Sequence, residues 1–236
     1  MPSTPRPAIQ IPHTDPARRS GQRSLLLDLD GVLLDTRPVM QKAWRAVQQR
    51  HRIDVPFEQY EQHLGRPFND IMRRLAMTDA EAVHRTYSEA SKAVAHLARP
   101  FEGVEEVLHA LVARGWLLGV VTSKPLDRAA PLLTQLGCPF GSVRASGGPG
   151  RSKPAPDPLL LALVDLCADP AQATFVGDMA VDHEAALRAG IAYVHAEWGY
   201  GSPGAPVPPI ARAPKDLLQF LGEGRNSGPF LEGSLL

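Results

Sequence analysis

Short apolar runs alternate along this chain with stretches of helical period. Leu25 to Leu29 is the first run, interrupted only by Asp28 and closed by the turn residues Asp30 and Gly31. That is the pattern of a parallel strand buried on both faces. "WLLGVVTS" (116 to 123), "ATFVGD" (173 to 178) and "IAYVHA" (191 to 196) repeat it, each after a helical pattern closed by Gly115, by a loop after Cys167, or by Gly190. Glycine just past a helix end supplies the left-handed cap conformation. "GSVRASGG" (141 to 148) is a weaker strand after Gly137. Strands alternating with helices predict an α/β fold with a doubly wound, mostly parallel sheet.

One interval breaks the alternation. From Arg37 to Arg99 there is no strand signal and there are several helices, which predicts a small all-helical insert after the first strand. Thr36 with Pro38 offers a cap and a first-turn proline for its first helix. "TDAE" starts another, with Thr78 as cap and Glu81 at the capping-box spacing. Val83, Tyr87, Ala90, Val94 and Leu97 then form one apolar stripe, and Trp44 and Tyr60 read as bundle core. "GRPFND" (65 to 70) separates two helices. The expected division is a catalytic core of 24–36 and 100–222, a helical cap of 37–99, a disordered arm of 1–23, and a frayed tail of 223–236.

Composition narrows the partners. Lys plus Arg equals Asp plus Glu at 25 each, so no net field draws the chain to nucleic acid or an anionic membrane. No apolar run approaches the roughly 18 residues of a membrane span, and the first 23 residues lack the apolar segment of a secretory signal. Cys138 and Cys167 lack metal-ligand spacing and read as core thiols of a cytoplasmic protein.

In open parallel sheets, ligands bind beyond the carboxyl ends of the strands. Every reactive group of note falls at such an end or in the loop after it. Asp28 and Asp30 close the first strand, Thr122 and Ser123 the second, Asp178 the fourth, with Asp182 four residues on; Lys153 lies in the loop after the third. Gathered carboxylates repel unless a cation or shared protons compensate. A hard divalent ion such as Mg²⁺ suits them, because it takes oxygen ligands and is held by one or two carboxylates together with substrate phosphate. Asp28 and Asp30 lie on opposite sides of a strict pleat, so both face one phosphate only if the chain turns sharply, which Gly31 permits. Singly, each motif is weak. In "SGGPGRSK" the glycine spacing misses the nucleotide-binding loop pattern, which excludes that reading.

"DLDGVLLDT", "VVTSK", "SKPAPDP" and "VGDMAVD" resemble, in order, the four motifs of the haloacid dehalogenase superfamily, and the insert resembles its helical cap. The resemblance covers residues 24 to 222, and "WGYGS" (198 to 202) is similar to the phosphoglycolate phosphatase-like group. Val32 stands where many members have threonine. The resemblance implies Mg²⁺-dependent hydrolysis of a small phosphorylated metabolite, phosphoglycolate-like or a sugar phosphate, by a monomer or homodimer. It implies that Asp28 attacks phosphorus to form an aspartyl-phosphate, and that Asp30 protonates the leaving alcohol and then activates water. Asp28, Asp178 and the Asp30 carbonyl would hold the metal, with Asp182 supporting. Gly31, Thr122, Ser123 and Lys153 would hold the phosphoryl group, and Arg66 in the insert would read an anionic leaving group. His183 is expected as an exposed helix residue.

The alternatives are a β-phosphoglucomutase-like phosphomutase and an inactive binding protein on the same fold. A phosphonatase would want a lysine at the Gly65 junction, and a metal-free dehalogenase would lack Asp30 and the acidic fourth motif. A phospho-accepting receiver domain would place its acceptor on a middle strand and need no helical insert.

Overall fold

The computed structural model describes residues 21–222. The chain opens on β1 (Ser24–Leu27) and turns into β2 (Leu34–Asp35). Helices α1 (Arg37–His51), α2 (Phe57–Glu61), α3 (Phe68–Arg74) and α4 (Ala80–Ala93) follow, and β3 (Arg99–Pro100) returns antiparallel to β2. The remainder alternates as α5 (Val104–Ala113), β4 (Leu117–Pro125), α6 (Leu126–Thr134), β5 (Ser142–Ser146), α7 (Asp157–Leu166), β6 (Ala173–Gly177), α8 (Ala180–Ala189), β7 (Ala192–Ala196), β8 (Ile210–Ala211) and α9 (Asp216–Gly222).

The main sheet has six parallel strands in the order β5-β4-β1-β6-β7-β8. β1 lies between β4 and β6, with Leu27 opposite Val120 on one side and Val176 on the other. The chain winds outward from β1 to β5 and then returns to the far side of β1, so the switch point falls at the end of β1. Strand alternation sends Leu25 and Leu27 into one core with Leu108, Leu111, Ala129 and Leu133, and Leu26 into the other with Leu159, Leu163, Phe175 and Ala186. Each buried leucine contributes about 2 kcal/mol, and a one-residue slip would forfeit the match on both faces.

Helices α1 to α4 build a separate cluster around Trp44, Tyr60, Met72, Val83 and Tyr87, where Trp44 stacks on Tyr60 at 4.6 Å between centroids. The stripe predicted on α4 divides. Its helix ends at Ala93, so Val94 and Leu97 pack instead against the core of the sheet. Its cap is Asp79 and not Thr78: the Asp79 carboxylate accepts the Ala82 N–H at 3.1 Å, and a carboxylate outcompetes a hydroxyl one residue earlier. The short β2–β3 ribbon and β8 were not predicted.

Gln22 and Arg23, assigned to the arm by sequence, are tied down. The Gln22 amide donates to the Gly115 carbonyl, and Arg23 Nη1 donates to Leu221 O at 2.8 Å. The rest of the arm, residues 1–20, and the tail, 223–236, lie outside the described residues. Cys138 is half-buried, but Cys167 is exposed and closes α7 in the left-handed conformation with φ 50°, so it is not a core thiol. Among the described residues, no helix is long and apolar enough to cross a membrane.

Candidate active site

Asp28 continues the ladder of β1, its N–H bonded to Val176 O at 2.9 Å. The chain then bends: Leu33 and Leu34 both donate to Leu29 O, and Gly31, at φ +81°, donates to Leu34 O at 3.0 Å. The glycine is needed twice over. Besides its left-handed backbone, a Cβ at Gly31 would fall 2.1 Å from Asp178 Oδ2. Its N–H is engaged inside the loop, so Gly31 serves by lacking a side chain and not as an amide donor.

The bend brings Asp28, Asp178 and Asp182 together, each with a carboxylate oxygen within 4.8 Å of the others' and all three buried. Lys153, 3% exposed, lies among them with Nζ 3.0 Å from Asp28 Oδ2, 2.7 Å from Asp182 Oδ1 and 3.2 Å from Val121 O. Burial works to lower the Lys153 pKa, but the Asp182 and Asp28 charges outweigh it and hold the ammonium above its ordinary range. Burial raises the Asp28 carboxyl to about 7, although Lys153 and the Leu29 N–H, at 2.7 Å from Oδ1, both favour its charged form. Asp178 is raised as well, by burial first and then by the Asp182 and Asp28 charges.

Asp182 occupies the first turn of α8 and accepts the Met179 N–H at 3.0 Å through Oδ2, leaving Oδ1 for Lys153. It thus positions the lysine. Asp178 Oδ2 accepts the Tyr200 N–H at 2.8 Å, whereas Oδ1 is buried with no hydrogen-bond partner among the described residues. An orphaned carboxylate oxygen in an all-oxygen cluster fits a divalent cation.

Asp30 stands a little apart and is partly exposed. Thr36 Oγ1 donates to its Oδ1 at 2.5 Å, and Lys124 Nζ is 3.0 Å from the same atom. Thr36 does sit at the N-terminus of α1, but its hydroxyl holds Asp30 and caps nothing. Thr122 is buried at the end of β4, its Oγ1 accepting the Lys124 N–H at 3.1 Å. The Ser123 hydroxyl donates to Gly65 O at 2.6 Å, so it links the core loop to the helical insert.

Sequence reasoning missed two groups here. Lys124 acts through Asp30, distant in the chain, and has no local signature. Tyr200 was only part of "WGYGS". Its N–H holds Asp178, while its hydroxyl accepts the Thr36 N–H at 2.7 Å and lies 2.9 Å from Asp35 Oδ1, where the insert begins. His183 corrects the expectation of exposure: it is 3% exposed, stacked on Tyr193 at 4.8 Å, with Nδ1 2.9 Å from Pro203 O. The loop after β7 covers this side of α8.

Asp28, Asp30, Thr122, Ser123 and Lys124 line one end of a cleft of ≈ 560 Å³, counting the solvent at its mouth. Tyr60, Leu64, Phe68 and Tyr87 line it from the insert. Arg66 also reaches the cleft, with Nη1 3.5 Å from Asp70 Oδ2.

The model of the haloacid dehalogenase-like hydrolase family matches residues 25–196. The chain belongs to that family. A plasmid phosphoglycolate phosphatase of Cupriavidus necator is 35% identical over 212 residues, covering 84% of this chain and 90% of that protein. An N-acetylmuramic acid 6-phosphate phosphatase of Pseudomonas aeruginosa is 31% identical over 220 residues, covering 86% and 96%. The crystal structure of a hydrolase from Pseudomonas syringae superposes with a TM-score of 0.78 at 24% identity, covering 86% and 99%, and shares the fold. Within the family the chain falls in the phosphoglycolate phosphatase-like group and is a phosphoric monoester hydrolase.

Proposed function

We propose that the protein hydrolyses a small phosphate monoester, with Mg²⁺ as its metal and Asp28 as its nucleophile. The observation that supports this most is the buried cluster of Asp28, Asp178 and Asp182 closed by Lys153, with the unpartnered Asp178 Oδ1 beside a cleft. Asp28, Asp178 and the Asp30 carbonyl would hold the ion, which when bound offsets carboxylate charge and withdraws electron density from the phosphoryl group.

In the first half-reaction an Asp28 carboxylate oxygen forms a bond to phosphorus as the bond to the ester oxygen breaks, and Asp30 delivers a proton to the departing alcohol. In the second, Asp30 takes a proton from water as the oxygen of that water displaces Asp28 from phosphorus, releasing phosphate. Thr36 and Lys124 both engage Asp30 Oδ1, which leaves Oδ2 to carry the transferred proton. Thr122 holds a phosphoryl oxygen, Lys153 offsets charge on the nucleophile and the phosphate, and Asp182 keeps Lys153 in place. Residues 37–99 act as a cap over the core of 24–36 and 100–222, a reading favoured by the Ser123–Gly65 bond and by Lys92 Nζ 2.6 Å from Asp127 Oδ2.

The relatives favour a carboxylated substrate: phosphoglycolate and N-acetylmuramic acid 6-phosphate both carry a carboxylate on the alcohol half. The test is phosphate release from phenyl phosphate and 2-phosphoglycolate. Turnover in Mg²⁺ that stops with chelator and falls at least about 10³-fold in Asp28→Asn is expected; turnover indifferent to both defeats the reading.

A further inference from the structure

Among the described residues three cations line the cleft: Lys124 is paired with Asp30, Arg66 shares the Asp70 carboxylate with Arg73 and Arg74, and the third is Arg128. Arg128 is different. It is 9% exposed, its Nε is buried without a hydrogen-bond partner, and it has no carboxylate within ion-pair distance among the described residues. The adjacent Asp127 is committed to Lys92 at 2.6 Å. The guanidinium rests over the Tyr87 ring at 5.5 Å from the centroid, and burial keeps the phenols of Tyr87 and Tyr60 neutral, that of Tyr60 by raising its pKa to about 12.

Among the described residues the Tyr87 ring is the contact that Arg128 makes, and it supplies no negative charge. Arg128 lies in the first turn of α6, the positive end of the helix dipole, where a cation is disfavoured. A buried charge without a partner is strongly destabilising. The arrangement makes sense when an anion supplied from outside completes it, since the planar guanidinium grips a carboxylate by two parallel bonds. The same cleft holds Asp28 and Asp30, so one molecule can present both the anion and the scissile phosphate.

We infer that Arg128, and not Arg66, reads the substrate's second anionic group, a carboxylate on the alcohol half of the phosphate ester. This rests on the phosphatase reading above and deepens it. The aromatic walls of Tyr60, Phe68 and Tyr87 lower the polarity around that contact, which strengthens it.

The test compares kcat/KM for esters of carboxylated alcohols with kcat/KM for phenyl phosphate, whose leaving group has no second charge. The carboxylated arms are 2-phosphoglycolate, with its carboxylate close to phosphorus, and N-acetylmuramic acid 6-phosphate, with its carboxylate distant. Wild type is expected to prefer at least one arm over phenyl phosphate, and Arg128→Met to lower that preference about 30-fold, the scale of one charge-assisted bond. Arg128→Lys restores part of it, and Arg66→Ala moves it less than Arg128→Met. A purely structural arginine would depress both substrates alike and leave the ratio unchanged. An unchanged ratio in Arg128→Met, a larger change in Arg66→Ala, or a wild type with no preference for either carboxylated arm overturns the inference. A wild type that turns over no ester in Mg²⁺ overturns instead the phosphatase reading beneath it.

Discussion

Lys153→Met removes one charge from the centre of the site while keeping most of the side-chain volume. The lysine is 3% exposed and ion-paired to both Asp28 and Asp182. Breaking a buried pair by removing one partner costs about 3–5 kcal/mol. The lower end applies here, because the Asp28 carboxyl, already raised to about 7, can take up a proton and shed its charge. For a chain of this size about 3 kcal/mol corresponds to a Tm drop of roughly 6–12 °C. A carboxyl raised above its unfolded value binds its proton more tightly when folded, so its penalty grows as pH rises from about 4 through the folded pKa. Removing Lys153 raises Asp28 further, and the Tm deficit should therefore be larger at pH 8 than at pH 5. Calorimetry of both proteins in chelator measures this. A Tm within 2 °C of wild type at both pH values, taking about 2–4 °C per kcal/mol, would refute the view that Lys153 is the internal counter-ion of the cluster.

Two further outcomes follow from the same geometry. Gly31→Ala should fold but bind Mg²⁺ about 10–100-fold more weakly, because its Cβ would displace the Asp178 carboxylate, 2.1 Å away; titration calorimetry showing wild-type affinity would contradict this. Mg²⁺ should raise Tm more at pH 8 than at pH 6, since the proton held by Asp28 up to about 7 competes with the ion; an equal or reversed increment would count against Asp28 as a ligand.

The sequence reveals the groups whose meaning is carried by position along a strand. Asp28, Thr122 and Asp178 each end a buried apolar run, and parallel pairing of β4, β1 and β6 is enough to bring them together. Where a role depends on a loop crossing between elements, local pattern is silent. Tyr200 reaches Asp178 with its backbone and Thr36 with its phenol, residues 22 and 164 positions away. Lys124 and Arg128 look like ordinary surface cations in sequence, and only the insert packed over them gives them buried surroundings. Thr36 shows the reverse case: its place at a helix start is legible, but its hydroxyl is turned to donate to Asp30, 6 residues earlier, and accepts from no helix N–H. The strands missed, β2, β3 and β8, have two residues each, too few for any periodicity to register. His183 is covered by the loop after β7 and Cys167 closes α7 in the left-handed conformation, neither of which helical periodicity reveals.

The proposed reaction turns on covalent chemistry at one carboxylate, Asp28. Acid quenching during turnover of a radiophosphate-labelled ester, followed by peptide mapping, tests it most directly. A hydroxylamine-labile label on the peptide containing Asp28, absent from Asp28→Asn, is the predicted result. Steady turnover with no label on the protein, or label on another residue, would contradict it.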